Sequence, residues 1–238
     1  MSKISLLLIA TNKYKKFIPQ LLSGVSEYFL KDHEINIHLF TDGYVDDCDD
    51  ERICLIQHII PSYKYPEATL LRYEIFTSIP KEEYDEWMIY LDVDMAIIDH
   101  VGDEILNDII YVQHPGYYKG GWGDTETTPE SNGFLPEELR NKYFAGGFQG
   151  GKTEYYYQIA EDLAEYIQND RVRGIKARWD DETFWNKFIA TNITLMSNPC
   201  YLNPSYCMPE AQWKREAWGV SQFKPIILAL EKEEDIRE

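Results

Sequence analysis

The sequence predicts an α/β protein in which helices flank a single, mainly parallel sheet. Three observations carry that prediction. Apolar runs of strand length alternate along the chain with segments whose apolar residues recur at helical spacing. That alternation is the pattern of parallel sheets. The 238 residues suffice for one α/β domain with a sizeable core. No repeat, low-complexity tract or linker divides the chain.

The elements follow in order. Ile4–Ala10 reads as the first strand and is far too short to cross a membrane. Phe17, Ile18, Leu21, Leu22, Val25, Tyr28 and Phe29 then recur with helical period. Ile35–Phe40 is a second strand, closed by the turn signal Thr41-Asp42-Gly43. Ile53–Ile60 is a third, Ala68–Ser78 reads as a helix, and Trp87–Leu91 and Ile109–Gln113 are further strands. From His114 to Lys142, glycines and prolines break every periodicity, and a long irregular segment inside a compact domain favours a functional loop. A helix over about Glu154–Asp170, a helix opening near Asp181 and a strand near Ile193–Ser197 complete the series. The charged residues Glu231–Glu238 are expected to fray.

The chemistry concentrates at Asp92-Val93-Asp94. These carboxylates stand where the run Trp87–Leu91 gives out, and the strand ends of open α/β sheets bind ligands. Paired carboxylates favour a hard divalent cation, which favours a diphosphate in turn. A solvated turn is the ordinary alternative in a chain with 41 acidic residues. An EF-hand fails, because Met95–Ile98 supply no further oxygen ligands. An aspartyl-nucleophile phosphatase remains a minor alternative, weakened by Met95-Ala96 where small polar residues belong.

Composition narrows the partners. A net charge of −18 argues against nucleic acid and anionic membranes. An anionic substrate would then need local cations or a metal to offset the field. Cys48, Cys54, Cys200 and Cys207 lack the spacing of a zinc site. With no signal peptide read at the start, a reduced cytoplasmic setting is the expectation.

Leu91-Asp92-Val93-Asp94-Met95, followed by Asp99-His100-Val101-Gly102 and Glu104-Ile105-Leu106, resembles family 6 glycosyltransferases, which include blood-group A and B transferases, α-1,3-galactosyltransferases and bacterial relatives. Further matches run in order: Ala10 to Tyr14, Phe40-Thr41-Asp42, Leu70 to Tyr73, His114-Pro115-Gly116-Tyr117-Tyr118, Tyr143 to Gly151, Trp179 to Phe188 and Pro225-Ile226-Ile227-Leu228. The resemblance implies the GT-A fold, a UDP-sugar donor and retention of anomeric configuration. It also implies a single domain over residues 1–238, with a nucleotide- and metal-binding half over about 1–113 and an acceptor-binding and catalytic half over about 114–230.

Residue by residue, the resemblance makes Asp92 and Asp94 the ligands of Mn²⁺, with Mg²⁺ as a substitute, and adds Val93 to the donor site. Ile9, Ala10, Thr11 and Tyr14 match the part that holds uracil and ribose. Arg72 matches an arginine that contacts the donor sugar and a metal-motif carboxylate. Ala145, Gly146 and Gly147 match the stretch that sets donor choice, where glycine at position 147 gives the GalNAc pattern. Asp181 would bond donor hydroxyls, and Glu182 would act at the anomeric carbon as nucleophile or as stabiliser of an oxocarbenium-like state. His114, Trp179 and Asp180 fall in acceptor-binding positions. Ordinary readings stand beside these: a satisfied structural histidine for His114, a core or rim tryptophan for Trp179, and for Asp181 and Glu182 a helix start, where acids in the first turn favour the macrodipole.

Some positions depart from the family. Asp180 replaces a histidine, Thr125-Glu126-Thr127-Thr128 lacks the two arginines of the family loop, and the tail is shorter. Lys224 and Lys232, then Arg237, are the cations left to face a diphosphate. The reading is a Mn²⁺-dependent retaining α-1,3-glycosyltransferase moving GalNAc from UDP-GalNAc to a galactose-terminated glycan, soluble like bacterial or viral members. Two alternatives stand beside it: UDP-Gal as the donor, and a carbohydrate-binding homologue that has lost catalysis.

Overall fold

The computed structural model describes residues 2–121, 123–192, 197–233 and 236. Seven strands form the main sheet: β1 (Lys3–Ala10), β2 (Glu34–Thr41), β3 (Ile53–Ile59), β4 (Trp87–Leu91), β6 (Ile109–Gln113), β7 (Phe144–Lys152) and β8 (Pro199–Leu202). Their order is β3-β2-β1-β4-β7-β6-β8, and only β7 runs against the rest. A small second sheet, beyond the one expected, joins β5 (Met95–Ile97), β10 (Ile227–Ala229) and β9 (Met208–Pro209) in that order.

Helices cover both faces, as a parallel sheet requires. α1 (Ile18–Tyr28) buries Leu21, Leu22 and Val25 against one face. The other face is covered by α2 (Glu67–Leu70), α3 (Arg72–Thr77), α4 (Thr153–Val172) and α5 (Asp180–Asn192). A sixth, short helix, α6 (Glu210–Lys214), follows β9. Central β1 is buried from Ile4 to Ala10, because both of its faces meet helices.

Most expected elements are present within a residue or two. The helix expected over Ala68–Ser78 is two short helices meeting at Leu71. The strand expected near Ile193–Ser197 falls largely on residues 193–196, which lie outside the described residues; β8 begins just beyond, at Pro199. Sequence reading misses β7, whose glycines hide it. Those glycines permit close packing: a Cβ at Gly151 would come within 2.2 Å of the Asp108 carbonyl, and one at Gly150 within 2.6 Å of the Met88 carbonyl. The tail expected to fray is docked where it is described. Glu231 N–H donates to Glu210, Lys16 pairs with Glu233 at 2.6 Å, and Ile236 is buried.

This architecture sets the site. β1 and β4 are parallel neighbours, so Ala10–Thr11 and Asp92 emerge at the same edge. Antiparallel β7 lays Gly146-Gly147 beside them, with Asp92 N–H bonded to the Gly147 carbonyl at 2.9 Å. α5 then brings Asp181 and Glu182 in from above.

Candidate active site

A cavity of about 320 Å³ opens at this edge. Of the residues expected from the sequence, Ile9, Thr11, Tyr14, Arg72, Asp92, Val93, Asp94, Gly146, Gly147, Trp179, Asp180, Asp181 and Glu182 line it. Ala10 and Ala145 belong instead to the core on the α1 face of the sheet. His114 stands outside the cavity, in an aromatic cluster with Tyr117, Tyr143 and Trp218.

Arg72 organises the donor side. It is buried at the start of α3 and 4% exposed. Nη1 donates to the Gly146 carbonyl at 2.8 Å and lies 2.7 Å from Asp181 Oδ2; Nη2 donates to Asp92 Oδ1 at 2.9 Å. The guanidinium plane rests 4.1 Å from the centre of the Tyr90 ring, and the Tyr90 hydroxyl donates to the same Asp92 oxygen. Burial of the guanidinium opposes its charge, but Asp181, then Tyr90 and Asp92, hold its pKa well above the ordinary value. A planar, delocalised cation suits this stacked, forked arrangement where lysine would not.

The carboxylates of Asp181 and Glu182 face the same void. Glu182 accepts the Gly146 N–H at 2.7 Å through Oε2. Burial pushes its pKa up to about 7, against the lowering effect of Tyr143 and the Gly146 N–H. Burial does the same to Asp181, also to about 7, although Arg72 pulls the other way. Perturbed acids in a cleft mark functional sites. Asp181 and Glu182 do stand in the first turn of α5, as the helix-start reading has it, but Asp181 is buried, Glu182 is half-buried, and each is engaged by a partner across the cavity.

Asp94 is nine-tenths buried or more, and its Oδ2 makes an ion pair with Lys232 but no directional hydrogen bond. Burial and the charge on Asp92 raise its pKa. The Leu230 N–H donates to the Asp94 carbonyl at 2.9 Å, so the segment after β10 is strung along Asp92-Val93-Asp94. That path carries Lys232 into the cavity, 5.7 Å from the centre of the Tyr14 ring. Lys224, the other candidate cation, pairs with Asp99 at 2.5 Å and is not in the lining; Arg237 lies outside the described residues.

The donor set fits a divalent metal shared with a substrate. Asp92 Oδ1 is engaged by Arg72 and Tyr90, while Oδ2 faces Gly147, where a Cβ would stand 2.8 Å away. Among the described residues, no group of three or more His, Cys, Asp or Glu side chains gathers into a metal cage. Two carboxylates with room for phosphate oxygens is how small, hard cations are commonly held.

On the acceptor side, Trp179 is half exposed and Asp180 takes a left-handed conformation, φ 40°, that lets it accept the Tyr65 hydroxyl at 3.1 Å. Burial lowers the His114 pKa to about 4, so the ring is neutral. Its Nδ1 accepts the Gly116 N–H at 3.1 Å, which leaves Nε2 as the protonated, donating nitrogen. Glu126 proves structural: its carboxylate accepts the N–H groups of Thr127, Thr128 and Arg178 at 2.8–2.9 Å and so fixes the segment before Trp179. Sequence reading missed Tyr63, Tyr65, Ala68, Thr69 and Tyr90 in the lining. Tyr90 lies inside the unbroken apolar run of β4 and nothing there singles it out; nothing in the loop marks Tyr63, which enters because its carbonyl accepts both Thr11 Oγ1 and Asn12 Nδ2 at 2.8 Å.

The profile of Glycosyltransferase family 6 matches residues 2–231. The chain is similar to the rat Histo-blood group ABO system transferase 1, 27% identical over 226 residues, covering 91% of this chain and 62% of that protein. It is similar to the human Globoside alpha-1,3-N-acetylgalactosaminyltransferase 1, 26% identical, covering 84% and 60%. It is also similar to the Escherichia coli O-antigen biosynthesis glycosyltransferase WbnI, 22% identical, covering 84% and 88%. The chain thus spans about three fifths of the animal relatives. None of its described helices is long and apolar enough to cross a membrane.

Proposed function

The chain belongs to glycosyltransferase family 6, and from that premise we propose that it is a retaining α-1,3-glycosyltransferase that moves GalNAc from UDP-GalNAc to a galactoside hydroxyl with the help of Mn²⁺. The observation that carries this reading is the convergence, in one cavity, of the Asp92/Asp94 pair, the Arg72 knot and a half-buried Glu182 held by Gly146 N–H.

Asp92 and Asp94 would hold the metal, with Mg²⁺ as a substitute. Bound there, it supplies Lewis-acid stabilisation to the departing diphosphate. Lys232 adds a cation from the protein itself on the same side, which helps an anionic donor enter a chain of net charge −18. Thr11 and Tyr14 offer the strand end and ring for the nucleoside. Asp181, fixed by Arg72, presents its carboxylate to donor hydroxyls.

Glu182 acts at the anomeric carbon. Its work, as nucleophile or as stabiliser of developing positive charge, requires the ionised form. The carboxyl is poised near neutrality, so donor turnover rises as pH climbs through about 7.

Gly147 supports GalNAc over galactose. A Cβ there would meet Met95 Cε at 2.5 Å and Asp92 Oδ2 at 2.8 Å, so a side chain would take up room next to the donor. The alternative donor is UDP-Gal. Purified protein supplied with Mn²⁺, β-galactosides and each donor decides between them: faster turnover of UDP-GalNAc is expected, and turnover of UDP-Gal alone would refute the donor assignment. No hydrolysis of either donor would instead favour a binding-only homologue.

A further inference from the structure

One exposed tryptophan lies outside every motif that marks the donor site. Trp218 sits in a 3₁₀ segment, Ala217–Gln222, and is 47% exposed. Its backbone is left-handed, φ 59° and ψ 0°, a conformation that is costly for a bulky aromatic residue. Flanking Glu216 and Gly219 are also at positive φ. Such outliers persist only where their surroundings fix them, and they cluster at ligand clamps.

The surroundings here do fix it. The Tyr118 hydroxyl donates to the Gly219 carbonyl at 2.6 Å, Gln222 Nε2 donates to that hydroxyl at 2.8 Å, and Val220 is buried. The segment is thus fastened to the His114–Lys142 loop. The result is an indole displayed beside His114, ring centres 6.2 Å apart and tilted 38°.

From His114 a chain of contacts leads back to the cavity. The His114 and Tyr117 rings are 5.1 Å apart, and the Tyr117 hydroxyl donates to Asp124 at 2.6 Å. Asp124 in turn interacts with the Trp179 side chain, and Trp179 lines the cavity with Glu182. On another side of His114, Tyr143 lies 5.6 Å away and neighbours Glu182. Trp218 at one end and Trp179 at the other are thus linked through the polar groups of His114, Tyr117 and Asp124. Flat apolar faces with polar groups at their edges suit sugar rings, whose hydroxyls bond outward.

We propose that Trp218 is the platform of a second acceptor subsite, on which the penultimate sugar of a di- or oligosaccharide stacks while the terminal galactoside lies between Trp179 and Glu182. This rests on the glycosyltransferase reading above and adds that a monosaccharide is an incomplete acceptor. His114, one ring step from both tyrosines, bridges the two sugars with its donating Nε2.

Kinetics with lactose and with methyl β-galactoside test this in wild type, Trp218→Gly and Trp218→Phe. Glycine accepts the positive φ, so the first variant removes the ring without forcing the backbone. Loss of a stacking contact should raise KM for lactose about tenfold, and move KM for methyl β-galactoside less than about twofold. Trp218→Phe should recover most of the loss. Equal treatment of the two sugars by wild type, or an equal loss for both in Trp218→Gly, overturns the subsite. Failure of wild type to hydrolyse either UDP-sugar would refute the glycosyltransferase reading separately. Saturation-transfer NMR with lactose then still reads the subsite: loss of the glucose signals alone in Trp218→Gly supports it, and unchanged signals overturn it.

Discussion

The two sides of the cavity are built differently. The donor side hangs on strand ends: β1, β4 and β7 deliver Thr11, Asp92 and Gly146, and a buried arginine ties them to α5. The proposed acceptor side is Trp179 and Asp180 at the start of α5, backed outside the cavity by loops, residues 114–121 and 217–222, that hold partly exposed aromatic rings on irregular or left-handed backbone. Rigid scaffold on one side and adaptable loop on the other is a common division in enzymes. Under the proposed function, donor chemistry would be fixed by buried ion pairs, and acceptor choice by rings that can change without disturbing the fold.

The contrast breaks most severely at Arg72. Arg72→Leu leaves Asp181 buried without its cation, and such losses cost about 3–5 kcal/mol. Chemical denaturation should show that drop, whereas Trp218→Gly should stay within about 1 kcal/mol of wild type. If Arg72→Leu is as stable as wild type, the knot is not what holds the donor side together.

Next in size is the metal. Chelation, or Asp92→Ala, should lower donor turnover by about 100-fold or more, in line with the loss of a metal's supporting shell. Turnover undiminished by chelation would turn the two aspartates into donor-shaping residues and leave Lys232 as the main cation.

Smaller still is Gly147→Ala. The added methyl presses on the Met95 methyl, the end of a side chain that can shift, and on the carboxylate of Asp92, which Arg72 and Tyr90 hold in place. We expect the ratio of UDP-GalNAc to UDP-Gal turnover to fall about tenfold, with acceptor KM unmoved. A change in acceptor KM instead would mean the two sides are not separable.

The mildest effect is a gain. Glu182 and Asp181 hold protons more tightly folded than unfolded, since burial raises both to about 7. Below the unfolded pKa neither costs anything; as pH rises from about 4 through 7, stability is progressively lost. Glu182→Gln removes one of those costs, so it should raise Tm by a few degrees at pH 8 and little at pH 4, of the order expected for about 1 kcal/mol. A lowered Tm at pH 8 would mean the Glu182–Gly146 bond outweighs the burial.

The same division explains what was legible in the sequence. Strand-end residues were readable, because an apolar run followed by Asp92-Val93-Asp94 announces both the strand and its edge. Arg72 stands in the sequence as an arginine beside Leu70, Leu71 and Tyr73, and its ties to Asp92 and Asp181 are visible only in three dimensions. β7 was illegible as a strand, since Gly146, Gly147, Gly150 and Gly151 lack the side chains that make period-two alternation. Lys232 was expected on a frayed tail, and its place beside Asp94 follows from the pairing of β10 with β5, a contact distant in sequence. Trp218 carried no signal, because its meaning lies in a left-handed turn and a histidine far away along the chain.

The central claim is that Glu182 serves the reacting carbon and not the binding of the nucleotide. Titration of UDP in the presence of Mn²⁺, paired with donor turnover, tests it directly in Glu182→Ala. The account predicts turnover down about 1,000-fold and UDP affinity within about twofold of wild type. Equal losses in both would contradict it and make Glu182 a structural support for Gly146.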